Sequence, residues 1–117
     1  MTGTSYLQSS LDKLADAVRD DVIEICINPD GTVWGEFQGD HFMRLLDTKL
    51  GPVAIRDLGN QIASAANTKM SKDKPIVSVS IKYRDRPIRA QVIQPPAVNE
   101  GYSISLRFFS TLPLDKI

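Results

Sequence analysis

Residues 76–93, IVSVSIKYRDRPIRAQVI, contain two stretches in which apolar and polar side chains alternate along the chain. A period of two is typical of β-strands that bury one face and expose the other. The sequence therefore predicts two strands, joined by a charged connector at Tyr83–Pro87. The apolar positions of the two strands are Val77, Val79, Ile81, Ile88, Ala90 and Val92.

The same alternation recurs in other parts of the chain and predicts further strands. Residues 23–27 alternate isoleucines with polar residues, and Pro29-Asp30-Gly31 after them favours a turn, because proline presets φ and glycine accepts positive φ. Residues 32–37 then form the second arm of a hairpin, and 41–46 a third strand. Residues 103–109 alternate in the same way and form the last strand.

Two segments have helical spacing. Between Tyr6 and Val18 the apolar residues recur every three or four positions, with the charged residues on the opposite side. A second helix begins at Gly51-Pro52, since proline is tolerated in a first helical turn, and ends near Asn67. The predicted fold is one α+β domain over residues 1–117, with a mostly antiparallel sheet, an N-terminal helix and one inserted helix.

Composition excludes several classes of function. The 117 residues include fourteen basic and fourteen acidic side chains, so the net charge is zero and a general nucleic-acid binder is not expected. The single cysteine, Cys26, cannot form an internal disulfide, and the single histidine, His41, argues against a histidine-rich metal site. Apolar runs are too short to form a membrane span.

Arg89 and Arg107 are the candidate site residues. Alternation places each arginine on the polar face of its strand, together with Gln91, Ser103 and Ser105. If the two strands are neighbours, these side chains form a patch of donors suited to a phosphate or carboxylate, because guanidinium presents a planar fork. The alternative is an ordinary solvated sheet face, and the pattern alone leaves both open.

Catalytic constellations are not evident in the sequence. Glu24, Glu36 and Glu100 are scattered rather than paired, and Cys26 between two isoleucines is expected to be a buried structural thiol. The chain contains neither Gly-x-x-x-x-Gly-Lys-Ser/Thr nor Gly-x-Gly-x-x-Gly, the glycine-rich loops that cradle phosphates. No nucleotide hydrolysis is expected from this chain alone.

Four segments, in this order, resemble the N-terminal domain of the hexameric traffic ATPases of type IV secretion systems. They are residues 21–34 (DVIEICINPDGTVW), 74–78 (KPIVS), 89–96 (RAQVIQPP) and 101–107 (GYSISLR). Each motif is weak alone, and their order and spacing make the resemblance specific across most of the chain.

The resemblance implies that residues 1–117 precede a RecA-like motor domain that carries the P-loop and is not part of this chain. It further implies ATP between the two domains, with magnesium in the parent protein. Six copies would form a ring at the cytoplasmic face of the bacterial inner membrane, in contact with other secretion components. The ring would power pilus assembly and the transfer of DNA, as in conjugation, or of protein, with no direct nucleic-acid contact by this domain.

The resemblance also implies roles for particular arginines. By similarity to the motifs of the family, Arg89 and Arg107 would contact the nucleotide phosphates. The family has a glycine-bearing turn before the first arginine, whereas residues 83–87 lack glycine and are slightly longer. Arg86 is therefore a competitor of Arg89 for that role.

A second hypothesis from the residues is a freestanding sensory or small-ligand-binding domain with a similar sheet and flanking helices. Its pocket would lie between the sheet and the inserted helix. Ile62, Val79 and Phe108 would line it.

Overall fold

The computed structural model describes residues 2–69, 75–94 and 101–109, and side chains from Tyr6 onward. It contains two α-helices, a short 3₁₀ turn at Ala15–Ala17 and six strands in the described ranges. The elements are α1 (Thr2–Asp12), β1 (Val22–Ile27), β2 (Thr32–Phe37), β3 (Arg44–Lys49), α2 (Pro52–Ala65), β4 (Ile76–Tyr83), β5 (Arg86–Ile93) and β6 (Ser103–Phe108).

The six strands form one antiparallel sheet in the order β3-β2-β1-β6-β5-β4. Two three-stranded meanders therefore lie side by side, and the pairing of β1 with β6 joins them. The second helix, α2, is inserted between the two meanders along the chain. The predicted α+β domain with an N-terminal and an inserted helix is confirmed.

Helices α1 and α2 pack against each other on one face of the sheet, with α2 over β4 and β5. Apolar side chains from both layers form a single core between them. The largest fully buried side chains are Leu11, Leu14, Phe37, Ile25, Ile27, Ile55, Leu58, Ile62, Tyr83, Ile88, Ile104 and Leu106. Neither helix is long and apolar enough to cross a lipid bilayer, as far as the described residues extend.

The first helix is shorter than its spacing predicts. It ends at Asp12, and the 3₁₀ turn continues the apolar face, so that Leu7, Leu11 and Leu14 are all buried. The prediction that Tyr6 belongs to this face is wrong, since its side chain is 61% exposed. Tyr6 precedes Leu7 by one position, which is about 100° around a helix.

Strand β3 begins three residues later than predicted, at Arg44 instead of His41. The preceding turn is longer because Asp40 holds it together. Its Oδ2 accepts hydrogen bonds from the Phe37 backbone N–H at 3.2 Å and from the Arg44 Nε at 3.1 Å. In β1 an irregular pairing between Val22 and Glu24 places Val22, and not the predicted Ile23, in the core.

Two hydrogen bonds attach α1 to the edge strand β4. Gln8 Nε2 donates to the Lys82 carbonyl at 2.6 Å, and the buried Tyr83 hydroxyl donates to Asp12 Oδ1 at 2.5 Å. Burial, and next the hydrogen bond and negative charge of Asp12, raise the pKa of Tyr83 to about 12. The protonated hydroxyl is therefore the form that this contact stabilises.

We predict that Tyr83→Phe lowers the free energy of unfolding at pH 7 by about 1.5–3 kcal/mol, because it removes a hydrogen bond to a charged acceptor. Above about pH 10 an unfolded tyrosine loses its proton while folded Tyr83 keeps it until about pH 12. The native protein should therefore lose stability as pH rises across that window, and the variant should lose less. Urea unfolding between pH 7 and 11.5 checks this, and equal losses in both proteins would contradict it.

Tyr102, the residue just before β6, packs against α2 at the position of a glycine. Its ring lies directly against Gly59, and its hydroxyl donates to Asn60 Oδ1 at 2.8 Å. A Cβ at position 59 would overlap the ring. Gly59 therefore allows the close approach that docks the start of β6 onto the helix.

Gly59→Ala should destabilise the domain by about 1–3 kcal/mol, because the added methyl group overpacks the contact with the Tyr102 ring. In a Tyr102→Ala background the same change should be neutral or stabilising, since alanine is the better helix former. Chemical denaturation of the four proteins measures this coupling. An identical effect of Gly59→Ala in both backgrounds would rule out the ring contact as its cause.

Candidate functional site

The sheet face that points away from α1 and α2 is called the open face here, because no helix of the described residues covers it. Alternation along the strands turns polar and charged side chains toward it. Its central residues are Glu24, Cys26, Trp34, Glu36, Arg89, Gln91, Ser105 and Arg107, all exposed or half-buried.

Arg89 and Arg107 lie directly opposite each other on neighbouring strands of the open face. They are Cα partners of the β5–β6 pairing, and both side chains are exposed. Gln91 and Ser105 form the next pair on the same face. Opposite residues of an antiparallel pair have Cβ atoms about 5 Å apart, so one small anion can be reached by both arginines.

Arg89 and Arg107 have no carboxylate partner among the described residues. The ion pairs found there join Arg19 to Asp21, Arg44 to Asp40 and Arg84 to Asp12. Like charges directly opposite each other destabilise a sheet, and an anion between them would remove that repulsion. Each guanidinium also has five N–H donors in a fixed planar fork, which suits phosphate and carboxylate oxygens.

Arg86 lies on the opposite face of β5 from Arg89. Its guanidinium donates to the backbone carbonyls of Arg19 at 2.7 Å, Asp20 at 3.2 Å and Val22 at 3.1 Å. It also lies over the Phe108 ring, 5.0 Å from the centroid. The structure therefore separates Arg86 from the arginine pair. Through these hydrogen bonds Arg86 holds the segment that leads into β1.

We predict that Arg86→Met lowers the free energy of unfolding by about 2–3 kcal/mol, because three carbonyls lose a charged donor. Arg86→Lys should recover part of this loss, since an ammonium cannot match the geometry of the guanidinium fork. Arg89→Met, on the same strand, is the matched control and should not lower stability, because it removes a like charge opposite Arg107. Denaturant unfolding tests the series, and equal effects of Arg86→Met and Arg89→Met would contradict it.

Glu24 and Glu36 are paired, contrary to the expectation that the glutamates are scattered. They are Cα partners across the β1–β2 hairpin, on the open face. The signal for this was present in the sequence, because the turn at residues 29–31 sets the register in which Ile27 opposes Val33. Counting back from that pair brings the two carboxylates together. Glu100 lies outside the described residues.

Cys26 is half-buried on the open face, so the expectation that this structural thiol is buried is wrong. Its Sγ donates to Glu24 Oε2 at 3.5 Å, and Ser105 Oγ donates to the same oxygen at 3.0 Å. Partial burial, and next the charge of Glu24, raise the pKa of the Cys26 thiol. The thiol therefore stays protonated, which suits a hydrogen-bond donor and not a nucleophile.

The residues proposed to line a ligand pocket are core residues. Ile62 is fully buried, Phe108 is 5% exposed, and Val79 packs against the same core. The side chains of the three residues fill the space between the helices and the sheet. Across the described ranges no group of three or more His, Cys, Asp or Glu side chains has a metal-binding arrangement.

Comparison with known proteins shows that the fold of this chain is similar to that of a solved structure. No protein-family model matches the sequence. No curated protein matches it significantly. A solved structure that is similar is the VirB11 ATPase from the Brucella suis type IV secretion system in complex with sulphate, with a TM-score of 0.80 and 20% sequence identity.

This similarity covers 97% of the present chain and 34% of the VirB11 chain, so the chain spans about a third of the length of that ATPase. At 20% identity the comparison shows a common fold. The resemblance to type IV secretion ATPases indicated by the four sequence motifs is thus confirmed as a likeness of fold.

Proposed function

We propose that this chain is the nucleotide-contacting and ring-assembly domain of a type IV secretion traffic ATPase. In this proposal it precedes a RecA-like motor domain that holds the P-loop, ATP and magnesium. Arg89 and Arg107 reach the nucleotide phosphates from the open face. The observation that carries the proposal is the pair itself: two exposed guanidinium groups directly opposite each other, without a carboxylate partner among the described residues.

The chemistry of the pair fits a phosphate chain. Hydrogen bonds from guanidinium to phosphate are charge-assisted and bidentate, which fixes orientation as well as affinity. Each such bond to a charged group contributes roughly 1.5–3 kcal/mol.

Hydrolysis belongs to the motor domain in this proposal, because the present chain has no P-loop sequence. Its own residues bind and orient the phosphates and stabilise their negative charge. The proposed assembly is a hexamer at the cytoplasmic face of the bacterial inner membrane, together with other secretion components. There it would energise pilus assembly and the translocation of DNA or protein.

The 117-residue chain should bind ATP weakly, with a dissociation constant that is roughly millimolar, because it supplies only part of the site. Arg107→Ala and Arg89→Ala should each weaken binding about tenfold, or ~1.4 kcal/mol. Arg56→Ala, an exposed arginine of α2, is the matched control and should have no effect. Titration with ATP at low ionic strength, followed by NMR chemical shifts of β5 and β6, measures these affinities.

Two outcomes would contradict the proposal. Tight ATP binding to this chain alone would mean that it holds a complete nucleotide site and needs no motor domain. Equal effects of Arg107→Ala and Arg56→Ala would remove the arginine pair from the site. In a protein that joins this domain to a P-loop domain, Arg107→Ala should also slow ATP turnover.

A further inference from the structure

Four charged side chains and a serine form one row across the open face, with each member directly opposite the next. The row contains, in order, Glu36, Glu24, Arg107, Arg89 and Ser80. The two acids thus lie together at one side and the two bases at the other. Of the two arginines, Arg107 is the one that lies directly opposite an acidic residue, Glu24 on β1.

Glu24 does not use this position to form an ion pair with Arg107. The ion pairs among the described residues are elsewhere, and the Glu24 carboxylate is held by the adjacent row of the open face. Its Oε2 accepts from Ser105 Oγ at 3.0 Å and from Cys26 Sγ at 3.5 Å. Ser105 and Cys26 are themselves Cα partners on β6 and β1. The Cys26 and Ser105 donors thus hold the Glu24 carboxylate toward the adjacent row and leave Arg107 accessible.

We infer that Glu24 is an internal competitor for Arg107, and that Ser105 is a positioning residue that holds Glu24 away from it. While Ser105 binds the carboxylate, Arg107 is available to a phosphate group. When that hydrogen bond is broken, the carboxylate pairs with Arg107 and weakens phosphate binding. The inference rests on the proposed function, since it describes how affinity at the same arginine pair is set.

The two positions of Glu24 are close enough in free energy to be exchanged. A hydroxyl–carboxylate hydrogen bond and a solvent-accessible arginine–carboxylate pair both make modest net contributions to stability. The protonated Cys26 thiol adds only a weak donor. Ser105 therefore decides between the two positions, although it need not touch the bound anion.

Pyrophosphate affinity of the 117-residue chain, measured by NMR titration, tests the inference with four variants. Ser105→Ala should weaken binding about threefold, and Glu24→Gln should strengthen it by a similar factor. The double variant should bind as tightly as Glu24→Gln, because Ser105 acts only through the carboxylate. Ser78→Ala, an exposed serine of β4 on the same face, is the matched control and should leave affinity unchanged.

A measurement without any anion separates this inference from the proposed function. In ligand-free Ser105→Ala, the Arg107 Nε–Hε resonance should shift as the carboxylate pairs with it, and it should return in the double variant. If Arg107→Ala leaves pyrophosphate binding unchanged, the proposed function fails, while this resonance still tests the competition. If Arg107→Ala weakens binding but Ser105→Ala changes neither affinity nor the resonance, the competition is overturned and the proposed function stands.

Discussion

The pairing of β1 with β6 is the constraint on which the rest of the structure depends. Ile25 opposes Leu106 and Ile27 opposes Ile104, so residues from the two ends of the chain form the centre of the sheet. Without this pairing the molecule would consist of two separate three-stranded meanders, and the single core that both of them now line would be divided. The same register brings Glu24 beside Arg107 and joins the acidic and basic halves of the open face.

Local patterns were sufficient to predict most of the strands and the faces of their side chains. A period of two is a property of the chain itself, so alternation assigns Arg89 and Arg107 to polar faces whichever strands are neighbours. The strand order depends on long-range contacts, which alternation does not encode. Glu24 and Glu36 are a different case, because the local turn at residues 29–31 sets the register that pairs them. The start of β3 depends on side-chain hydrogen bonds of Asp40, which alternation does not encode either.

Arg86 and Arg89 show that the position of a residue within a strand decides on which face of the sheet its side chain lies. They are three residues apart, and an odd separation places them on opposite faces of β5. On the helix side, Arg86 donates to three backbone carbonyls and supports the fold. On the open face, Arg89 lies opposite Arg107 and keeps its donors accessible. A resemblance of motifs alone left the two arginines in competition, and the alternation of faces separates them.

The hydrogen bond from Gln8 to the Lys82 carbonyl has a consequence for self-association. Strand β4 is one edge of the sheet, and an edge strand presents backbone groups that can template the addition of a strand from another molecule. The Gln8 side chain of α1 donates a hydrogen bond to one of the β4 carbonyls, so that this carbonyl is not free to accept one from another strand. Docking of α1 thus blocks part of this edge, so partial detachment of the helix would expose a surface prone to aggregation.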